Sequence, residues 1–238
     1  IYISCGTWSL FGTELSAPLI REDTEKANYT NETGFENTTR FLKNIMGLWL
    51  IQESRRQWKR EGEDVSFAQL EKEALAAKPF QCFIDVDDPS FEPAGNLPRR
   101  VVEFCQRTGQ YVPQTRGEIM RCIYDSLAMK YKVNYNVLQK LTGKRYESIH
   151  MLGGGIKDTL LCRMTASATG AKVVAGPAEA TVTGNIAVQY IALGELKGLR
   201  EAREVIRNST QLKEYQPEEK EIWEKEFARY QELIGRKD

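Results

Sequence analysis

The chain opens on alternation. Ile1, Ile3 and Leu10 are apolar, Gly6 and Gly12 punctuate, and residues 1–16 predict two strands joined by a turn. Residues 17–39 are polar and predict a loop. From Phe41 to Gln52 the sequence is apolar nearly all round, interrupted only by Lys43, Asn44, Gly47 and Gln52, and it continues to about Arg60. That pattern predicts a buried helix. Asn44 and Gln52, eight residues apart, would then look out from neighbouring faces roughly 80° apart, and burial would require each to find a polar partner.

Further on, Ser66 caps an amphipathic helix that runs to about Ala77, with Glu71 in its early turns. Cys82–Asp87 predicts a strand, and Leu97 to about Thr108 a helix. A long helix follows from Arg116 to Leu141, with Ile119, Ile123, Leu127 and Tyr131 at four-residue spacing and Gly143 as its stop. Ser148–Leu152 predicts a strand, followed by three glycines and a helix from about Lys157 to Ala168. Lys172–Gly176 is a further strand, Pro177 opens a helix to about Leu193, and the tail is helical. There Trp223, Phe227, Tyr230 and Ile234 fall on one face, the mark of core packing. An opening hairpin followed by alternating strands and helices predicts an α/β fold, helices layered on a central sheet, in one domain spanning 1–238.

Composition narrows the partners. Thirty-three basic residues balance 33 acidic ones, so no net field points to nucleic acid or to a membrane surface. No apolar run reaches membrane-spanning length. The opening IYISCGTWSLFG lacks a basic leader region and a small-residue cleavage site. It enters a strand at once, as though the chain began within a larger protein. Five scattered cysteines include no C-x-x-C pair, and His150 is the single histidine, which argues against zinc. With no leader, the odd cysteine count suggests the reducing cytoplasm and free thiols, although Cys105 and Cys122 lie on successive helices and could approach. Sequons at Asn28, Asn31, Asn37 and Asn208 weigh weakly the other way. Asp85, Asp87 and Asp88 lack the glycine and distal glutamate of a calcium loop and predict a solvated loop. His150 has no acidic neighbour in sequence and is read as structural.

The triple glycine, Gly153, Gly154 and Gly155, is the most pointed chemical signal. Strand, glycines, helix is a layout that presents backbone N–H groups to phosphate or a nucleotide. It matches neither G-x-G-x-x-G, since Asp158 stands where the last glycine would be, nor the Walker A pattern. A tight packing turn explains the glycines equally well. A second small turn, Ser4-Cys-Gly-Thr-Trp-Ser9, offers hydroxyls and amides suited to phosphate oxygens. Together the two fit a cleft holding a nucleotide at both ends.

The stretches YISCGTWSLFGTE, RFLKNIMGLWLIQESRRQW, EIMRCIYDSLAMKY, HMLGGGIKDTLLCRMTA and AGPAEATVTGNIAVQ, in this order, resemble the C-terminal half of the FGGY carbohydrate kinases. LKNIMGLWLIQ is specific to the branch that phosphorylates L-rhamnulose, and the resemblance weakens after about Leu196. It implies one lobe of a two-lobed actin-like (ribonuclease-H-like) ATPase fold, with a central mixed sheet and with ATP and Mg2+ in the cleft between lobes. The other lobe would supply the first phosphate hairpin, most of the sugar pocket and the aspartate base, so no catalytic residue is expected in this chain. By the same resemblance Thr7 would contact the ATP phosphates, Gln52 would lie near the nucleotide, and Gly154 would pack against the adenosine, with Gly153 and Gly155 shaping the loop. Asn44 would hydrogen-bond the sugar. The implied activity of the whole enzyme is transfer of the ATP γ-phosphate to L-rhamnulose, giving L-rhamnulose 1-phosphate. A non-catalytic ATP-binding module on the same fold is the alternative.

Overall fold

The computed structural model describes residues 1–235. The opening hairpin is β1 (Tyr2–Cys5) and β2 (Trp8–Leu15). A short helix, α1 (Glu22–Lys26), leads to β3 (Thr30–Thr33) and then to β4 (Thr39–Met46). The helices α2 (Trp49–Arg60), α3 (Phe67–Ala76), α4 (Leu97–Arg107) and α5 (Arg116–Thr142) follow. Next come β5 (Ser148–Leu152), α6 (Thr159–Thr169) and β6 (Lys172–Ala175). The chain continues through α7 (Ala180–Ala192), α8 (Leu199–Ser209), β7 (Lys213–Tyr215) and α9 (Lys220–Gly235). The strands form one mixed sheet in the order β3-β4-β2-β1-β5-β6-β7. Its centre, β1-β5-β6, is parallel and both flanks are antiparallel.

Five expectations need correction. The apolar stretch from Phe41 is not one helix: residues up to Met46 pair with β2 over eight positions, from Trp8↔Met46 to Leu15↔Thr39. Phe41 and Leu42, on opposite faces of β4, are both fully buried. A strand covered on both faces carries apolar residues without alternation and so imitates a buried helix. Helix begins only after Gly47, where the amides of Gly47 and Trp49 bond the carbonyl of Thr7 (both 3.1 Å) and that of Leu48 bonds Gly6 (2.9 Å). The hairpin turn thereby anchors the start of α2. Residues 17–39 and the helical tail also contribute strands, β3 and β7.

Cys82–Asp87 is buried but pairs with no strand. Its amides are satisfied by side chains instead. Phe83 N donates to Gln110 Oε1 (2.9 Å) and Ile84 N to Ser126 Oγ (2.9 Å), while just upstream Phe80 N donates to Asp125 Oδ2 (2.7 Å). Phe80 holds a left-handed φ of 58°, and Arg229 Nη2 donates to its carbonyl. The aspartates that follow are ion-paired rather than solvated. Lys130 of α5 lies 2.8 Å from both Asp85 Oδ1 and Asp87 Oδ2, and Asp87 Oδ1 accepts the amide of Met46 on β4 (3.0 Å). Asp88 caps the next turn through Ser90 N (2.9 Å) and pairs with Arg107.

The long helix matches its expected bounds within one residue. Thr115 and Glu118 form a capping box at its start, and Gly143 stops it at φ 67°. Trp223, Phe227 and Tyr230 of α9 are buried as their spacing predicts, with Trp223 edge-on to Phe80 and Tyr230 edge-on to Phe83. Thr165 and Thr169, buried in α6, return their hydroxyls to the carbonyls of Leu161 and Thr165 (2.7 Å each). On α7, by contrast, Val182, Ile186, Tyr190 and Leu193 stand exposed. No helix among the described residues is long and apolar enough to cross a membrane.

Burial alone would lower the pKa of Lys130, but Asp87 and Asp85 outweigh it and hold the ammonium charged. Replacing Lys130 with Met leaves two carboxylates facing each other at a half-buried site. The expected loss is about 2–4 kcal/mol of stability, read by chemical denaturation against the wild type.

Candidate nucleotide cleft

The hairpin turn, the start of α2, the start of α3 and the triple-glycine loop converge on one cavity of about 510 Å³. Thr7, Gln52, Gly154 and Gly155 all line it, so most of the expected site residues, drawn from three distant stretches of sequence, meet there. The Thr7 hydroxyl donates to Gln52 Oε1 at 3.1 Å, linking the turn to the first turn of α2. The carbonyls of Gly6 and Thr7 are taken by the amides of residues 47–49, and the Gly6 amide donates to the Trp8 carbonyl (3.0 Å). What the turn offers the cleft is therefore chiefly the Thr7 hydroxyl, its carbonyl oxygens being already engaged.

The three glycines divide their work. Gly153 has φ 85°, and its amide bonds the carbonyl of Pro177 (3.2 Å), so it serves the turn and does not line the cavity. Gly155 is buried against β1: a Cβ there would meet Cys5 Sγ and lie 2.7 Å from the Cys5 carbonyl oxygen. Gly154 is exposed to the cleft, and a Cβ on it would meet nothing within 4 Å. The packing explanation of the motif thus holds for Gly153 and Gly155 and not for Gly154. Gly155 is required by the fold, whereas Gly154 leaves a space that the protein itself does not use.

Asn44 is not among the cavity's lining residues. It lies on β4, paired with Leu10, and is exposed, with no side-chain hydrogen bond among the described residues. The expectation that Asn44 and Gln52 share one helix fails for the reason that splits β4 from α2. Neither is a sealed polar group.

Sequence reasoning missed much of the wall. Leu48, Ile51, Phe67 and Ala68 supply an apolar side, and Phe67 is exposed, with the Arg55 guanidinium 4.8 Å above its ring. Lys157 is an exposed cation on the glycine loop with no ion pair among the described residues. Its place directly after the glycines was the available signal; Phe67 had none beyond following the Ser66 cap. Two acids also line the cleft, but both are committed to the start of α6. Glu71 Oε1 accepts from Thr159 Oγ1 (2.9 Å) and Leu160 N (3.1 Å). Asp158 accepts from Leu161 N (2.9 Å) and from the Tyr124 hydroxyl (2.5 Å). Burial pushes the Asp158 carboxyl up to about 6, with the Glu71 charge adding to the rise and the two hydrogen bonds opposing it. A group of three close metal-ligating side chains is absent from the cleft among the described residues. A divalent cation there would have to be held largely by ligand oxygens.

Comparison with known proteins agrees with this arrangement. The family model for the C-terminal domain of the FGGY family of carbohydrate kinases matches residues 1–193. A rhamnulokinase of Bacteroides thetaiotaomicron is 40% identical over 233 residues, covering 98% of this chain and 47% of its own length. A rhamnulokinase of Bacillus subtilis is 44% identical over 218 residues, covering 92% of this chain and 44% of its own. The chain thus spans about half the length of the curated relatives it matches. Among solved structures, a xylulose kinase from Rhodospirillum rubrum superposes at TM-score 0.68 with 14% identity, over 98% of this chain and 46% of that one. A Plasmodium falciparum glycerol kinase, solved with ADP, gives 0.68 and 12%, with the same coverage. At such identity these two speak for the fold alone, the actin-like ATPase fold of the sugar kinases.

Two outcomes follow from the cleft geometry. Gly155→Ala should cost about 1–3 kcal/mol through overpacking on Cys5, while Gly154→Ala should leave the thermal unfolding midpoint close to that of the wild type. The second concerns Asp158. Its folded pKa lies above its unfolded value, so the stability it contributes is complete below about pH 4 and is lost as pH rises through about 6. The stability difference between Asp158→Asn and the wild type should therefore move in favour of Asn by about 2–3 kcal/mol between pH 4 and pH 7, read by denaturant unfolding at each pH.

Proposed function

The chain belongs to the FGGY family of carbohydrate kinases as its C-terminal domain, and from that premise we propose that it is the nucleotide-binding half of a rhamnulokinase. The whole enzyme would transfer the γ-phosphate of ATP to a hydroxyl of L-rhamnulose. The observation that carries this reading is the unused space over Gly154 in a cleft built from the hairpin turn, α2, α3 and the glycine loop. The adenosine would lie across Gly154, its flat base between that main chain and the apolar wall of Leu48, Ile51 and Phe67. The phosphates would run toward Thr7, whose hydroxyl would turn from Gln52 Oε1 to donate to them. Lys157 adds positive potential at the mouth.

This half binds and orients; its cleft residues supply no proton acceptor aimed at a sugar. Glu71 and Asp158 are held by the start of α6, and the base would come from the other half of the enzyme. Mg2+, when bound with ATP, would neutralise developing charge on the transferring phosphoryl group. Asn44, exposed and without a side-chain hydrogen bond among the described residues, would hydrogen-bond the sugar. The exposed apolar strip of α7 gives the amino-terminal half a surface on which to dock. Five free cysteines suit a cytoplasmic enzyme.

The test uses the full-length protein with ATP, Mg2+ and L-rhamnulose. It should phosphorylate L-rhamnulose in preference to other ketoses. Gly154→Val should raise the KM for ATP by about tenfold or more, against a change of under about threefold in the KM for sugar. An unchanged ATP KM would remove the glycine loop from the nucleotide site, and absence of turnover on L-rhamnulose would remove the substrate assignment.

A further inference from the structure

Three of the five cysteines meet. Cys82 comes from the irregular buried segment, Cys105 from α4 and Cys122 from α5, and their sulfur atoms all lie within 4.8 Å of one another. All three are free and buried. The approach of Cys105 and Cys122 was open from their successive helices, but Cys82, with no C-x-x-C spacing to mark it, is brought to them by the fold. Cys5 and Cys162, by contrast, belong to no such group among the described residues.

We propose that Cys82, Cys105 and Cys122 form a three-thiolate site for a zinc-group dication, its fourth ligand a water from the adjoining cavity. Four observations support it. In a tetrahedral thiolate site with metal–sulfur bonds of about 2.3 Å, the sulfurs stand roughly 3.8 Å apart, so the three need only a small contraction. The segment carrying Cys82 is held in register by Asp125, Ser126 and Gln110, and it cannot wander from the helices that carry the other two. A cavity of about 10 Å³, room for about one water, touches Cys82, Cys122 and Asp125 and reaches the exposed ring of Tyr111, giving an entry path. Finally, three thiols binding one dication release three protons and leave one net negative charge. Two guanidiniums stand nearby to screen it, each already shared with a carboxylate: Arg121 lines the same cavity and bonds Asp125 (2.9 Å), and Arg229, 4.8 Å over the Phe83 ring, donates to the Phe80 carbonyl and pairs with Glu226 (2.7 Å). Packing alone asks for no convergence of sulfur atoms, and a disulfide employs two thiols, not three. Soft thiolates without imidazole favour a zinc-group ion over magnesium or calcium.

The experiment titrates reduced full-length protein with Cd2+ under anaerobic conditions, following thiolate-to-metal charge-transfer absorption and proton release, with Zn2+ as competitor. One Cd2+ per chain should bind, three protons should leave, and Zn2+ should displace the absorption. Cys82→Ser, checked for native circular dichroism, should bind Cd2+ at least about tenfold more weakly. Absence of the absorption from natively folded wild-type protein would overturn the proposal, as would its retention at full affinity in Cys82→Ser. So would a mass spectrum of the protein as isolated showing two of these three cysteines joined to each other. The wild-type titration alone decides the matter if the variant does not fold.

Discussion

A helix sealed on every side must find a partner for each polar group it carries, and α5 is such a helix. Its buried polar residues reach outward in turn. Tyr124 holds Asp158 at the start of α6, Asp125 and Ser126 hold the amides of the strandless segment, Lys130 holds Asp85 and Asp87, and Tyr131 meets Ser9 of β2 at 2.6 Å. Asp87 passes the connection on to β4 through the Met46 amide. One helix thus sets the positions of the hairpin, of β4 and of the loop after the three glycines, the pieces that make the cleft. Burial pushes the Asp125 carboxyl up to about 6 even with Arg121 beside it, a measure of how dry this axis is. The cost of desolvating these groups is offset by geometry, since each bond has one partner and one direction.

Local signals in the sequence were reliable wherever the physics was local. The cap at Ser66, the stop at Gly143 and the aromatic stripe of α9 each depend on a few neighbouring residues, and each stands where expected. Errors arose where tertiary contacts decide. Phe41–Met46 is a strand because β2 and β3 lie on either side of it, and nothing within those residues says so. Cys82–Asp87 is apolar and extended yet unpaired, because side chains from α5 and Gln110 reach its amides first. Lys130 was legible as a residue but not as the partner of two aspartates more than forty positions earlier.

The cleft was legible in the same uneven way. Turns with glycine and hydroxyl residues announce themselves, so Thr7 and the glycines could be named from sequence, and resemblance added Gln52. The apolar wall could not be read, because Phe67 looks like a core residue until the fold leaves it exposed, and Ile51 is a core residue that only the fold brings to the cavity's edge. Asn44 was named by resemblance and placed on the wrong element by periodicity. Its exposure on a strand is a fact only the sheet could supply.

In the proposed nucleotide site, the space over Gly154 would work as a thickness gauge. A void offers no donor and no acceptor, so it cannot tell one base from another; it admits whatever is flat enough to slide between main chain and wall. Identity has to be checked elsewhere, by the groups around the rim. In the proposed site the loop could therefore stay the same while the shape of the slot is reset at Leu48, Ile51 and Phe67 and the identity of the base is read by polar groups at the rim. A side chain at residue 154 would stand in that gap without touching the rest of the fold, so in the proposed site the gauge could be narrowed without reshaping the protein.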